Sequence, residues 1–146
     1  MPIRCAAKAD AAHISALALS LARHYTHDGE ESLPGWLRNS LSEQAMREYL
    51  CDADNRSFVY VEAEKIVAYI GIMAQRHLYH LFVHEDFQGQ GLARSLWERV
   101  LAECDTEIIT VRSSLNAIPV YQKFGFKIKG PVLEKEGIYY QAMEYR

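Results

Sequence analysis

Apolar residues recur at helical spacing over the first third of the chain. Ile14, Leu17, Ala18 and Leu21 fall on one face of a segment from Ala11 to about Tyr25, with Asp10 in the N-cap position. From about Ser42, "SEQAMREYL" sets Ala45, Met46, Tyr49 and Leu50 on one face of a second helix. The stretch between them, "THDGEESLPGW" (Thr26 to Trp36), holds two glycines and a proline and reads as a connection between the two helices. At Ser57 the texture changes. "SFVYVEA" and "KIVAYIGIM" are rich in β-branched and aromatic residues and read as an antiparallel hairpin, with "HLYHLFV" as a third strand.

Helical spacing returns at Leu92, where Leu92, Ala93, Leu96, Trp97, Val100 and Leu101 describe one stripe. "EIITVRS" follows as a buried strand, and "NAIPVYQKFG" as a short helix closed by Gly125. "FKIKGPVL" and "GIYYQAMEY" are two more strands. The order β, α, α, β, β, β, α, β, α, β, β mixes hairpins with a strand-helix-strand crossover, which implies an α/β chain with a mixed sheet covered by helices.

Length and composition narrow the class. At 146 residues, with 49% hydrophobic and 24% charged residues, the chain is expected to be one domain spanning residues 1–146. A net charge of -3 with scattered Lys and Arg argues against nucleic acid as a partner. Cys5, Cys51 and Cys104 are odd in number and far apart, which suggests neither disulfides nor a metal knuckle but buried or idle thiols of a reducing compartment. No long apolar run or signal-peptide layout is present, so the expected location is the cytoplasm, with no membrane partner.

The candidate chemistry begins at "FQGQGLARSLW". Gly89 and Gly91 stand between a strand and a helix, where main-chain amides are free and the positive end of the helix dipole favours an anion. A P-loop is excluded because Leu92 and Ala93 follow Gly91 where Lys and Ser or Thr would be needed. A dinucleotide fingerprint is excluded because Arg94 stands at its third glycine. Taken alone, the pair is equally well a turn that caps a helix.

Two motifs together carry a resemblance. In "VHEDFQGQGLARSLW", Gln88, Gly91 and Ala93 fill the Gln/Arg-x-x-Gly-x-Gly/Ala pattern of the GCN5-related N-acetyltransferase (GNAT) family. "AIPVYQKFGF" resembles that family's second motif through Tyr121, Gly125 and Phe126. The chain departs from it at Ser114, where many members carry Asn; here Asn116 lies two residues later. The resemblance implies a mostly antiparallel mixed sheet of about seven strands with about four helices and a splayed pair formed by the fourth and fifth strands.

It also implies acetyl-CoA as co-substrate, with no metal. Its pyrophosphate would lie on Gln88, Gly89, Gln90, Gly91, Leu92, Ala93 and Arg94, its pantetheine along Leu81, Phe82 and Val83, and Asn116 would be a further contact. Tyr121 would protonate the departing sulfur. Acyl transfer needs a neutral amine, hence a base. The family places one near the start of this strand, and simple alternation puts His77 and Tyr79 on the face of Leu81 and Val83, with His80 on the opposite face unless a bulge reverses it. The acceptor, an amine of a small molecule or peptide, would meet Tyr25, Asp28, Glu31 and Trp36, where carboxylates beside aromatic rings suit a cation. A non-catalytic acyl-CoA-binding module is the alternative function, and a homodimer is compatible with either.

Overall fold

The computed structural model describes residues 2–21, 34–104 and 107–146. Its strands are β1 (Ile3–Cys5), β2 (Arg56–Glu62), β3 (Lys65–Met73), β4 (His77–Val83), β5 (Ile109–Ser114), β6 (Lys127–Lys135) and β7 (Ile138–Tyr145). Its α-helices are α1 (Ala11–Ser20), α2 (Gly35–Ser40), α3 (Glu43–Cys51), α4 (Leu92–Glu103) and α5 (Ile118–Phe124). The seven strands form one sheet in the order β1-β2-β3-β4-β5-β7-β6, and every neighbouring pair is antiparallel except β4 with β5.

Each face of the sheet has its own core. α4 and α5 cover one face, burying Leu96, Trp97, Val100, Tyr121 and Phe124 against Ile70, Ile72, Leu78 and Val111. α1 and α3 cover the other with Ile14, Leu17, Ala18 and Met46 packed on Val59, Tyr69 and Phe82. Burying an aliphatic or aromatic side chain of this size stabilises the fold by roughly 1.5 to 3 kcal/mol. The Ser15 hydroxyl donates to the Leu41 carbonyl at 2.6 Å, which fixes α1 against the end of α2.

The sequence and the fold differ in several places. The described residues hold five α-helices rather than four, because α2 forms within what reads as a connection: Pro34 sets its N-cap and Gly35 opens it. α1 is described to Ser20 with Leu21 at its C-cap, and the rest of the expected helix lies outside the described residues. Asp10 does not cap α1 with its side chain. A short 3-10 turn, Lys8–Asp10, already places it in helical geometry. Its carboxylate instead accepts from Arg4 at 2.8 and 3.0 Å and from the Ala7 amide at 2.7 Å. Arg4 holds that carboxyl below the usual range despite partial burial. Ser42 does cap α3, its hydroxyl accepting from the Ala45 amide at 3.2 Å. Leu101 leaves the α4 stripe and is 38% exposed. Cys5 and Cys51 are exposed and Cys104 is buried; all three are free thiols. No helix among the described residues is long and apolar enough to cross a membrane.

Candidate active site

The parallel pair β4/β5 touches at only two register positions, His77 with Thr110 and Leu78 with Val111. Beyond them the strands part, so from Tyr79 to Val83 the β5-facing edge of β4 has no ladder partner. Unpaired strand edges accept an extended ligand as an extra strand. Leu81, Phe82 and Val83 lie along this edge.

The edge leads into a short turn at Glu85–Phe87 and then into the two glycines. Gly89 and Gly91 adopt φ of 77° and 84°, left-handed values that glycine reaches without strain. A Cβ at either would have no heavy atom within 4 Å, so an open space lies against the start of α4. The amides of Gly89, Gln90, Gly91, Leu92 and Ala93 make no main-chain hydrogen bond among the described residues, and that of Arg94 falls in the first turn of the helix. Side chains brace the turn: Gln88 Nε2 donates to the Val83 carbonyl at 3.0 Å and Gln90 Nε2 to that of Asp86 at 3.3 Å. The Arg94 guanidinium is turned away, donating to the Lys123 carbonyl at 3.0 Å and lying 5.5 Å from the Phe124 ring centre. Among the described residues, the free main-chain amides are what this corner offers an anion.

β4 itself is bulged. Gly71 pairs with His80 and Ile72 with Leu78, which leaves Tyr79 as the extra residue. The bulge overturns the simple alternation. Leu78, Leu81 and Val83 pack toward the α4 core, whereas His80 joins Tyr79 on the opposite face, their ring centres 4.1 Å apart. His80 also meets Tyr49 at 5.5 Å, Phe82 at 5.3 Å and Tyr69 at 6.0 Å. His77 and Tyr79, therefore, do not share the face of Leu81 and Val83.

Three of the titratable groups on this face, His80, Tyr49 and Tyr69, are buried. His80 is buried and its Nδ1 has no hydrogen-bond partner; burial, then the nearby His77, push its pKa down to about 3. The Tyr49 hydroxyl is likewise buried, with no partner of hydrogen-bond geometry among the described residues; burial raises its pKa, and the nearby Ser57 opposes the rise. Tyr69, also raised by burial, shares a 3.2 Å hydrogen bond with Ser57. Gly71 is required here, since a Cβ would lie 2.7 Å from the Tyr69 hydroxyl and 3.0 Å from that of Tyr49. His77 is half-buried, with Nδ1 2.7 Å from Thr110 Oγ1; burial and then Arg112 lower its pKa. Sequence reasoning missed Tyr49, Tyr69, Ser57 and Arg112, which only the sheet order and the α3 packing bring to this site.

On the far side of the gap, Tyr121 is 6% exposed and sits edge-on to Phe124 and Phe126, at 6.1 and 5.5 Å. Gly125, φ 106°, closes α5 as expected. Asn116 is exposed on the 3-10 turn between β5 and α5. Trp36, on α2, lies under Lys135, whose Nζ is 4.1 Å from the ring centre. Tyr25, Asp28 and Glu31 lie outside the described residues. No group of three or more His, Cys, Asp and Glu among the described residues is placed to hold a metal ion.

Comparison with known proteins assigns this fold to a family. The sequence profile of the acetyltransferase (GNAT) domain matches residues 21–146. The chain belongs to the GNAT acetyltransferase family. A comparison with curated protein sequences gives no match. Solved structures of the same fold include the PaiA N-acetyltransferase of Thermoplasma acidophilum in complex with coenzyme A, at TM-score 0.81 and 15% identity over 99% of this chain and 97% of that one. A GCN5-related N-acetyltransferase of Rhodopseudomonas palustris aligns at TM-score 0.79 and 19% identity, over 98% and 93%. The spermidine N-acetyltransferase SpeG of Vibrio cholerae aligns at TM-score 0.69 and 17% identity, over 99% and 94%. At these identities the likeness is one of fold: the GNAT sheet with its parallel β4/β5 pair.

Proposed function

We propose that this GNAT chain is an acetyl-CoA-dependent N-acetyltransferase that acts on a primary amine of a small molecule or peptide by direct attack in a ternary complex. The observation that carries this reading is the corner at Gly89 and Gly91, where left-handed main chain, free amides and open space meet at the end of an unpaired strand edge. The residues present fit the cofactor. Amides from Gly89 to Arg94 suit a pyrophosphate at a helix start, and the edge at Leu81, Phe82 and Val83 suits the amide-bearing pantetheine arm.

Bound acetyl-CoA supplies a thioester, whose C–S bond is exchanged for a C–N bond to the acceptor. His77 takes the proton that the amine gives up. It can do so because burial and Arg112 keep its ring neutral at neutral pH. In the tautomer whose Nδ1–H donates to Thr110, Nε2 is the free base; the Thr110 hydroxyl can equally donate to Nδ1 in the other. His80, held down to about 3, is a weak base; it is buried and backs the exposed Tyr79 ring as a neutral neighbour. Tyr121 donates its phenolic proton to the departing sulfur.

Titration calorimetry with acetyl-CoA, followed by free-CoA release over a panel of amines, tests this reading. Wild type is expected to bind and to release CoA with at least one amine. Gly91→Val is expected to lose binding, because a branched side chain fills the corner and φ of 84° strains it. His77→Ala should lose rate at neutral and low pH and recover part of it as pH rises, once solvent deprotonates the amine. Unchanged affinity in a folded Gly91→Val protein sinks the cofactor site, and binding without turnover of any amine leaves a non-catalytic acyl-CoA module.

A further inference from the structure

A cavity of about 210 Å³ opens beside His77 on the face of the sheet away from α4, lined by Thr110, Arg112, Lys129, Ala142 and Glu144 among others. Alternation along β5 sets it there: Ile109 and Val111 are buried in the α4 core, whereas Thr110 and Arg112 are exposed on the other side. Arg112 follows the last paired position of β4/β5, so it stands on β5 where the strands begin to part.

Charge in this cavity is unbalanced. Glu144 is its one carboxylate, and it accepts from Arg146 Nε at 2.7 Å. Arg112 has no carboxylate partner within 4 Å among the described residues; its guanidinium lies 5.8 Å from the Tyr140 ring centre. Lys129 adds a second positive charge that makes no ion pair within 4 Å with a described residue, although its field helps to lower the Glu144 carboxyl. A guanidinium steadied on an aromatic face, with its fork open, is suited to a planar carboxylate.

We propose that this cavity is the specificity pocket of the acceptor, receiving a carboxylate carried by the same molecule as the reacting amine, on Arg112 with Lys129 in support. The acceptor class is then an amino acid or a short peptide-like amino acid derivative rather than a polyamine. This rests on the reading of the chain as an amine acetyltransferase. It places the base, His77, in the same cavity wall as the group that orients the acceptor, so the amine and its carboxylate are held on either side of one ring.

Two measurements test it separately from the transferase reading. The first compares amino acids of varied amine-to-carboxylate spacing, each with its own amide, by free-CoA release. Charged hydrogen bonds of this kind correspond to about 10- to 100-fold in affinity. At least one amino acid should exceed its amide by about tenfold or more in kcat/KM, mostly through KM, and Arg112→Gln should bring that ratio near one while Arg112→Lys keeps part of it. The second reads the His77 ring by NMR while N-acetylglycine is added. That probe should shift the His77 signals and raise the pH at which the ring titrates, N-acetylglycinamide should not, and Arg112→Gln should abolish the response. Acetyl transfer with amides as good as their acids, or N-acetylglycine without effect on His77, overturns the pocket. A His77 response in a protein that fails to bind acetyl-CoA would keep the pocket and sink the transferase.

Discussion

Two five-ring aromatic clusters sit on opposite faces of the sheet, alike in size and opposite in kind. Under α4, Trp97 stacks on Phe124 at 5.6 Å and meets Phe126 and Tyr145 at 5.1 Å each, and Tyr121 closes the group through Phe124 and Phe126. On the α3 face, His80 is ringed by Tyr79, Tyr49, Phe82 and Tyr69. The first is chiefly apolar surface removed from water. The second buries two polar atoms, Tyr49 Oη and His80 Nδ1, without a hydrogen-bond partner among the described residues. An unpaired buried polar atom costs stability, so the second cluster lowers the stability of the fold where the first raises it, beside the gap in the β4/β5 pair.

The largest expected effect comes from Tyr121, one of two tyrosines in the apolar cluster. Tyr121→Phe keeps the ring and its contacts with Phe124 and Phe126, so unfolding free energy should barely move. On the proposed acid role, turnover should fall by about 10²- to 10⁴-fold, or roughly 3 to 5 kcal/mol of barrier, with acetyl-CoA affinity within a few-fold, because a phenol in that role acts where charge develops on sulfur. Steady-state kinetics with a good acceptor, beside a denaturation curve, checks this; full turnover removes the acid role.

Trp97→Ala probes the same cluster from its centre. Trp97 is 1% exposed, and its loss leaves a cavity between α4, α5 and β7. Stability should fall by about 3 to 5 kcal/mol in urea unfolding. A loss under about 1 kcal/mol would show that the cluster can collapse and that the apolar face is not where stability resides.

His80 gives the other cluster a pH signature. Its folded pKa of about 3 lies below the unfolded value, so the unfolded chain binds more protons between those limits. Stability is fully present above about pH 6.5 and is lost as pH falls toward about 3. Between pH 7 and pH 5 the loss from this one group is about 2 kcal/mol. The lowered Asp10 carboxyl acts at lower pH, and His77, also lowered, acts in the same direction as His80. Urea unfolding of wild type and His80→Phe at both pH values isolates the term: the variant should lose about 2 kcal/mol less, and parallel losses would mean that His80 is wet.

The two clusters also differ in how far the sequence foretells them. Trp97, Leu96 and Val100 stand out as one helical stripe, and Tyr121, Gly125 and Phe126 fall within one short motif, because those relations are local. The hairpin of β2 and β3 is legible for the same reason. The His80 cluster draws on α3, β3 and β4, and β-branched texture does not say which strands become neighbours. A bulge at Tyr79 then takes His77 and Tyr79 off the face of Leu81 and Val83 and sets Tyr79 beside His80, and nothing in "HLYHLFV" marks which residue is extra. α2 is hidden by Pro34 and Gly35, turn residues that here open a helix. Arg112 reads as one charge in a buried strand until β7 and Lys129 on β6 give it a cavity.

The smallest effect makes the sharpest distinction. Tyr49 stacks on Tyr79 at 5.8 Å and touches His80 edge-on, and its hydroxyl is the unpartnered atom nearest Gly71. Tyr49→Phe removes that hydroxyl and leaves the ring, so a purely structural tyrosine at this place should be replaced at a gain of about 1 kcal/mol, the desolvation cost that is no longer incurred. If the cluster serves the acceptor, the same variant should raise the KM for the amine while acetyl-CoA affinity stays unchanged, since the proposed cofactor corner at Gly89 and Gly91 lies beyond the end of β4. Stability and acceptor KM would then rise together, the trade expected where a buried polar atom is kept for function. Urea unfolding and acceptor kinetics on one preparation decide it. A gain in stability with unchanged KM would make the hydroxyl a tolerated defect, and a loss of stability would mean that it has a partner in solution.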